Sequence, residues 1–126
     1  MKKLVAALAM TASASLAAAG YNWTVPVMVD VRNRNAQGSM GGAHNSADNQ
    51  QYIGCNLSGW AGGRIDLSCY ARDAANASGS CWSSDPGLIA VAATINPTTY
   101  LYFEWDVSGQ CTRVHVSNTS MSNPPR

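Results

Sequence analysis

Lysine is absent from this 126-residue chain after its third position, and charged residues make up only 12% of it. The part that follows residue 19 has six arginines against six aspartates and one glutamate, a formal charge near −1. Nucleic-acid binding requires a basic surface that neutralises several phosphates, and a polybasic membrane patch requires clustered cations. The sequence therefore predicts no nucleic-acid partner. A neutral polar surface instead favours an extracellular domain, with self-association as one option.

Common catalytic and metal-binding motifs are also missing. No Gly-x-Ser-x-Gly elbow occurs, so a serine triad is not predicted. No Cys-x-x-Cys pair occurs, and the two histidines, His44 and His115, have no carboxylate at ligand spacing. The segment 73–79 lacks the alternating oxygen ligands of a calcium loop. The sequence therefore predicts no metal and no cofactor.

The first 19 residues have the three parts of a secretory signal peptide. Two lysines form a basic start, an apolar run extends from Leu4 to Leu16, and three alanines precede Gly20. The run is too short and too rich in alanine for a membrane span. We therefore expect a bacterial signal peptide at 1–19 and a single secreted or periplasmic domain at 20–126, with no span in the mature chain.

The four cysteines, Cys55, Cys69, Cys81 and Cys111, all lie beyond this signal. In an oxidising compartment they favour two intramolecular disulfides, for which three pairings exist. Cys55 and Cys69 are symmetric about a glycine-rich turn, which slightly favours Cys55–Cys69 with Cys81–Cys111. Cys69 and Cys81 are equally symmetric about a second turn, so this alternative stays open.

Alternation of apolar and polar residues predicts a mainly β fold, a small disulfide-stapled antiparallel sheet or sandwich. One short helix is expected near 86–95, where Ser84 or Asp85 can cap the first turn and Pro86 suits its first position. The polar segment 33–50 is expected to be a long loop, either functional or a loosely ordered cover. The expected strands are 23–32, 52–57, 64–72 and 79–83, and a hairpin follows at 100–118. Pro26 lacks a backbone donor, so the first strand is expected either to lie at a sheet edge or to start after Pro26.

The register of the last hairpin can be derived from its pattern. Apolar residues are odd-numbered on its first arm and even-numbered on its second, and both sets must face one core. A two-residue turn at Ser108-Gly109 then places Val107 on the inner face. It also sets Glu104 opposite Arg113 and Tyr102 opposite His115 on the outer face.

Glu104, Arg113 and His115 are the candidate catalytic residues. A carboxylate base, a histidine acid and an arginine beside the phosphoryl group could cleave a phosphodiester. The run Tyr102-Phe103-Glu104-Trp105 is similar to the glutamate-tryptophan strand of small secreted fungal guanyl-specific ribonucleases. This resemblance covers those four residues with Arg113 and His115, and it implies that the glutamate is the base. The simpler interpretation is a solvated cross-strand ion pair beside a tyrosine–histidine contact.

Exposed aromatic residues form the candidate binding site. Flat rings can stack on sugar faces, and Trp60, in a glycine-rich loop, would supply such a surface with Tyr100 and Tyr102. Trp23 and Trp105 are expected in the core. We therefore predict a non-catalytic cell-surface, matrix or interaction module that binds an extracellular protein or glycan. The alternatives are the small hydrolase, or an inhibitor whose loop 56–63 enters the cleft of a secreted enzyme.

Overall fold

The computed structural model describes residues 20–122, and the predicted signal peptide lies outside this range. The described chain forms two antiparallel sheets and two short helices. In chain order the elements are β1 (Met28–Asp30), β2 (Asn35–Ser39), α1 (Met40–His44), β3 (Tyr52–Gly59), β4 (Ile65–Arg72), β5 (Ser78–Ser83), α2 (Pro86–Ala92), β6 (Tyr100–Trp105) and β7 (Cys111–Ser117).

The strand order is β1-β2-β6-β7 in a four-stranded sheet and β3-β4-β5 in a three-stranded sheet. Both sheets contribute to one core, in which Phe103 and Leu101 of β6 and Leu67 of β4 are fully buried. Phe103 is the single phenylalanine of the chain. The prediction of a mainly β, disulfide-stapled fold is confirmed.

Both disulfides have the favoured pairing. Cys55–Cys69 joins β3 to β4 within the three-stranded sheet, and Cys81–Cys111 joins β5 to β7. The second bond therefore links the two sheets covalently. No free cysteine remains in residues 20–122.

The predicted helix exists but is shorter than 86–95. Of the two candidate caps, Asp85 is the one that caps α2, because its side chain accepts a hydrogen bond from the backbone N–H of Leu88. The helix ends at Ala92, because the N–H of Ile95 bonds to the carbonyl of Ala92 in a tighter turn. No helix within the described range is long and apolar enough to cross a membrane.

The first predicted strand, 23–32, is confirmed in position but is much shorter than expected: it starts after Pro26 and lies at the sheet edge, but it comprises only Met28–Asp30. Val25 and Val27 are buried, as the alternation predicts, yet only the three residues of β1 pair with a neighbouring strand. The N–H of Val25 bonds to Ser39 Oγ and that of Val27 to Gln51 Oε1. These side chains replace the ladder partners that a longer strand would need.

The segment 33–50 is not one long loop. It contains β2, which lies between β1 and β6, and the helix α1. The inward-facing residues of β2 include Ala36 and Gly38, which are too small to give an apolar signal. Gly38 is needed there, because a Cβ atom would lie 2.9 Å from Val27 Cγ2.

The hairpin β6–β7 has the predicted pairs Glu104–Arg113 and Tyr102–His115, but its turn differs. A bulge puts Trp105 opposite Cys111, and Val107 is 88% exposed, so its predicted place on the inner face is wrong. Asp106 accepts hydrogen bonds from the N–H groups of Ser108 and Gln110, which closes a longer turn than Ser108-Gly109 alone.

The close contact of Gly79 with Trp105 predicts a cost for any added side chain. A Cβ atom on Gly79 would lie 2.4 Å from Trp105 Cη2, and this half-buried ring packs against Phe103. We expect Gly79→Ala to lower the free energy of unfolding by about 1–3 kcal/mol.

Gly54→Ala is the matched control, since Gly54 is also a strand glycine but has nothing within 4 Å of the added atom. We expect it to leave stability unchanged or slightly raised. Denaturant unfolding of both variants measures the difference, and equal losses would contradict the proposed Trp105 contact.

Candidate functional site

The outer surface of the four-stranded sheet carries most of the predicted site residues. On β6, Tyr100, Tyr102 and Glu104 alternate with the buried Leu101 and Phe103. Directly opposed residues of neighbouring strands share a face, which groups these side chains into rows. We call this surface the β6 face, and it comprises Trp23, Asn35, Gln37, Tyr100, Tyr102, Glu104, Arg113 and His115.

One row of the β6 face contains Asn35, Glu104 and Arg113 on three adjacent strands. The Tyr102 hydroxyl donates a hydrogen bond to Glu104 Oε1 at 2.6 Å, and Arg113 Nη1 lies 3.9 Å from the same oxygen. The Arg113 guanidinium also lies 5.3 Å from the centre of the Tyr102 ring. The bond to Glu104, followed by partial burial, raises the pKa of the Tyr102 hydroxyl. The carboxylate is therefore engaged on one oxygen.

A second group on the β6 face is aromatic. The rings of Trp23 and Tyr100 stack with centres 6.0 Å apart and planes 24° apart, and His115 approaches Tyr100 edge-on at 6.4 Å. The Tyr100 hydroxyl donates to Gln37 Oε1 at 2.5 Å, and burial raises its pKa. Trp23 is 50% exposed, so its predicted place in the core is wrong.

The backbone explains the position of Trp23. Its N–H donates to the carbonyl of Met121 at 2.7 Å, so the segments near both ends of the described chain meet beside the sheet. The chain then turns inward at Val25, which leaves the indole outside on Tyr100. Asn35 and Gln37 were also missed, and both lie on β2 within the segment expected to be a loop.

Trp60 belongs to the other sheet. It follows β3 at the tip of the β3–β4 hairpin and is 52% exposed. The Arg64 guanidinium lies 5.7 Å from the centre of the Trp60 ring, and the indole Nε1–H of Trp60 donates to Asp66 at 3.4 Å. Tyr100 and Tyr102 lie on the four-stranded sheet, so the structure does not bring the three predicted binding residues into one surface.

Concave sites elsewhere among residues 20–122 include three with volumes of about 460, 320 and 330 Å³. The first is mainly apolar and includes His44, the second is lined by Tyr52, Tyr70 and Trp105, and the third borders α2. None of these three is lined by Glu104, Arg113 or His115. The candidate catalytic residues lie in adjacent rows of the outer sheet face, where Arg113 and His115 are exposed to solvent.

Comparison of the chain with protein-family models, with curated proteins and with solved structures gives no match. The four-residue similarity to guanyl-specific ribonucleases is thus not accompanied by a family match. The functional argument rests on the geometry of the β6 face.

Proposed function

We propose that the protein is a secreted, non-catalytic module that binds a neutral glycan on the β6 face. The observation that carries this proposal is the exposed Trp23–Tyr100 stack beside a row of planar polar side chains. The predicted signal peptide and the two disulfides support an extracellular location, where surface and matrix glycans are found.

The stack is suited to the apolar face of a sugar ring. Tyr100 is half-buried and hydrogen-bonded to Gln37, so its ring has a fixed orientation beneath the indole. A rigid exposed aromatic ring buries a large area while losing little conformational entropy on binding. Trp23 therefore supplies a preorganised contact surface.

The neighbouring polar groups are suited to sugar hydroxyls. Gln37 Oε1 accepts from Tyr100, which leaves its amide Nε2 able to donate. Glu104 Oε2 remains an acceptor, while Arg113 and His115 are exposed donors. The charges of Glu104 and Arg113 offset one another, which favours a neutral glycan over a polyanion.

Trp23→Ala tests the proposal by removing the exposed half of the stack. We expect the unmodified protein to be retained by at least one member of a panel of immobilised neutral polysaccharides. The Trp23→Ala variant is expected to bind that polysaccharide with an affinity about tenfold lower or weaker still. Trp60→Ala is the control, because it removes an equally exposed indole from the other sheet. Retention of the protein by no member of the panel, or a loss confined to Trp60→Ala, would contradict the proposal.

A small secreted hydrolase is the second candidate function. The observation that favours it is that Glu104, Arg113 and His115 lie in adjacent rows of one face. Glu104 would take a proton from the attacking hydroxyl, His115 would protonate the leaving oxygen, and Arg113 would stabilise the phosphoryl charge. It ranks second because the Tyr102 hydroxyl already donates to the Glu104 carboxylate, and because Arg113 and His115 are exposed to solvent.

RNA cleavage separates the two functions. We expect the purified protein to cleave RNA no faster than background. For Glu104→Gln we expect the free energy of unfolding to change by less than about 1 kcal/mol, because the exposed ion pair is weak and the glutamine still accepts a hydrogen bond from Tyr102. Reproducible cleavage that is lost in Glu104→Gln and His115→Ala, but kept in Trp60→Ala, would favour the hydrolase.

A further inference from the structure

The cysteines of the two disulfides converge on the middle strand of the three-stranded sheet. Cys69 of β4 lies directly opposite Cys55 of β3 on one side and Cys81 of β5 on the other. Directly opposed residues project from the same face of a sheet. The sulfur atoms of Cys69, Cys81 and Cys111 all lie within 4.8 Å of one another. One half of the first disulfide therefore lies beside the whole of the second.

Access from solvent differs among the four residues. Cys69, Cys81 and Cys111 are buried, whereas Cys55 is partly exposed near the middle of β3. An external thiolate can therefore reach Cys55 Sγ more readily than the other three sulfur atoms. Attack at Cys55 makes Cys69 the leaving group.

We propose that the four cysteines form a thiol–disulfide exchange site that reacts with an external dithiol. The dithiol thiolate attacks Cys55 Sγ, forms a mixed disulfide and releases Cys69 as a thiolate. This thiolate is generated in place, so no buried thiol has to lose a proton first. Cys69 then attacks Cys81 Sγ, forms Cys69–Cys81 and releases Cys111.

The second thiol of the dithiol completes the reaction by releasing Cys55. The dithiol is oxidised to its disulfide, and its two electrons and two protons appear as the thiols of Cys55 and Cys111. The Cys69–Cys81 bond that remains is one of the pairings the sequence allows. It occupies a directly opposed cross-strand position, as Cys55–Cys69 does before the reaction.

The reaction changes what the disulfides connect. Cys81–Cys111 joins the two sheets, whereas Cys69–Cys81 lies within the three-stranded sheet. Reduction at the exposed end of the cluster would thereby remove the covalent link between the sheets. This chemistry is independent of the glycan proposal, since none of these cysteines belongs to the β6 face.

Partial reduction of the folded protein tests the exchange. The protein is treated with dithiothreitol, quenched with acid at successive times, alkylated and digested with trypsin without further reduction. The arginines place Cys55 in peptide 35–64, Cys69 in 65–72, and both Cys81 and Cys111 in 73–113. Untreated protein gives 35–64 linked to 65–72, with the bond in 73–113 internal.

We expect peptide 65–72 to become linked to 73–113, with alkylated Cys55 released in 35–64 and alkylated Cys111 located by fragmentation. The expected yield of this species does not depend on protein concentration, because the step is intramolecular. Alkylation of Cys55 and Cys69 at every time, with Cys81–Cys111 intact, would overturn the proposal.

A variant tests the same step without reductant. Cys55→Ser leaves Cys69 without its partner, so we expect the free thiol to be found partly at Cys111 after alkylation of the folded protein. In this variant the Cys69 thiol must first lose its proton, so the protein is incubated at alkaline pH before alkylation. A thiol that stays confined to Cys69 under these conditions would overturn the proposal. The same variant is also alkylated in urea, where the unfolded chain can form any pairing. A free thiol at Cys111 that is more frequent in the folded protein than in urea shows that the exchange takes place in the folded state.

Discussion

Removal of the Cys81–Cys111 bond by alanine substitution of both residues is expected to lower the free energy of unfolding by about 3–4 kcal/mol. The bond spans 30 residues in sequence and connects the two sheets, so its loss frees a large part of the unfolded chain. The total free energy of unfolding of a domain of this size is about 5–15 kcal/mol. The loss is therefore a large share of its stability.

Alanine substitution of both Cys55 and Cys69 is the matched control. That bond spans 14 residues and joins two strands that already pair along their whole length. We expect the free energy of unfolding to fall by about 0.7 kcal/mol less than it does without Cys81–Cys111, which is the difference that the chain-entropy model gives for the two loop lengths. Urea unfolding of the two double variants measures the order, and a larger loss without Cys55–Cys69 would contradict this account of the fold.

Phe103→Ala is expected to have the other large effect, a loss of about 3–5 kcal/mol. Phe103 is fully buried between the opposed residues Ala36 and Val114, and its ring packs against Trp105. Truncation leaves a cavity beneath β6, the strand that carries Tyr102 and Glu104. The β6 face should therefore lose order together with the core.

Val107→Ala is the control for Phe103, because both residues were placed on the inner face by the same alternation. Val107 is exposed in the turn, so we expect a change within about 0.5 kcal/mol. Thermal or denaturant unfolding measures both variants. A loss at Val107 comparable with that at Phe103 would show that the predicted two-residue turn is the correct one.

Large apolar side chains account for the part of the fold that the sequence predicts. The alternation in β4 and β6 places Leu67, Leu101 and Phe103 in the core, and it also gives the outer-face pairs of the last hairpin. The sequence does not predict β2, because the inward-facing positions of this strand are occupied by Ala36 and Gly38. A strand lined by such small residues has the composition of a loop.

The residues of the β6 face could likewise be predicted only where the apolar alternation fixes the strand register. The placement of Glu104 opposite Arg113 and of Tyr102 opposite His115 is a consequence of register and can be predicted. The position of Trp23 depends on a hydrogen bond to Met121, nearly the whole chain away in sequence. Local alternation carries no information about such a contact, and it assigned the indole to the wrong side.

The four tryptophans provide the most direct test of glycan binding on the β6 face. Trp23 lies on this face, Trp60 at the β3–β4 tip, Trp82 on β5 and Trp105 against the core, so each indole N–H reports a different place. The measurement is a nitrogen-15 correlation spectrum recorded while a retained oligosaccharide is added to saturation. The account predicts that the Trp23 indole signal shifts while those of Trp60, Trp82 and Trp105 stay in place. A shift at Trp60 with Trp23 unchanged would contradict it.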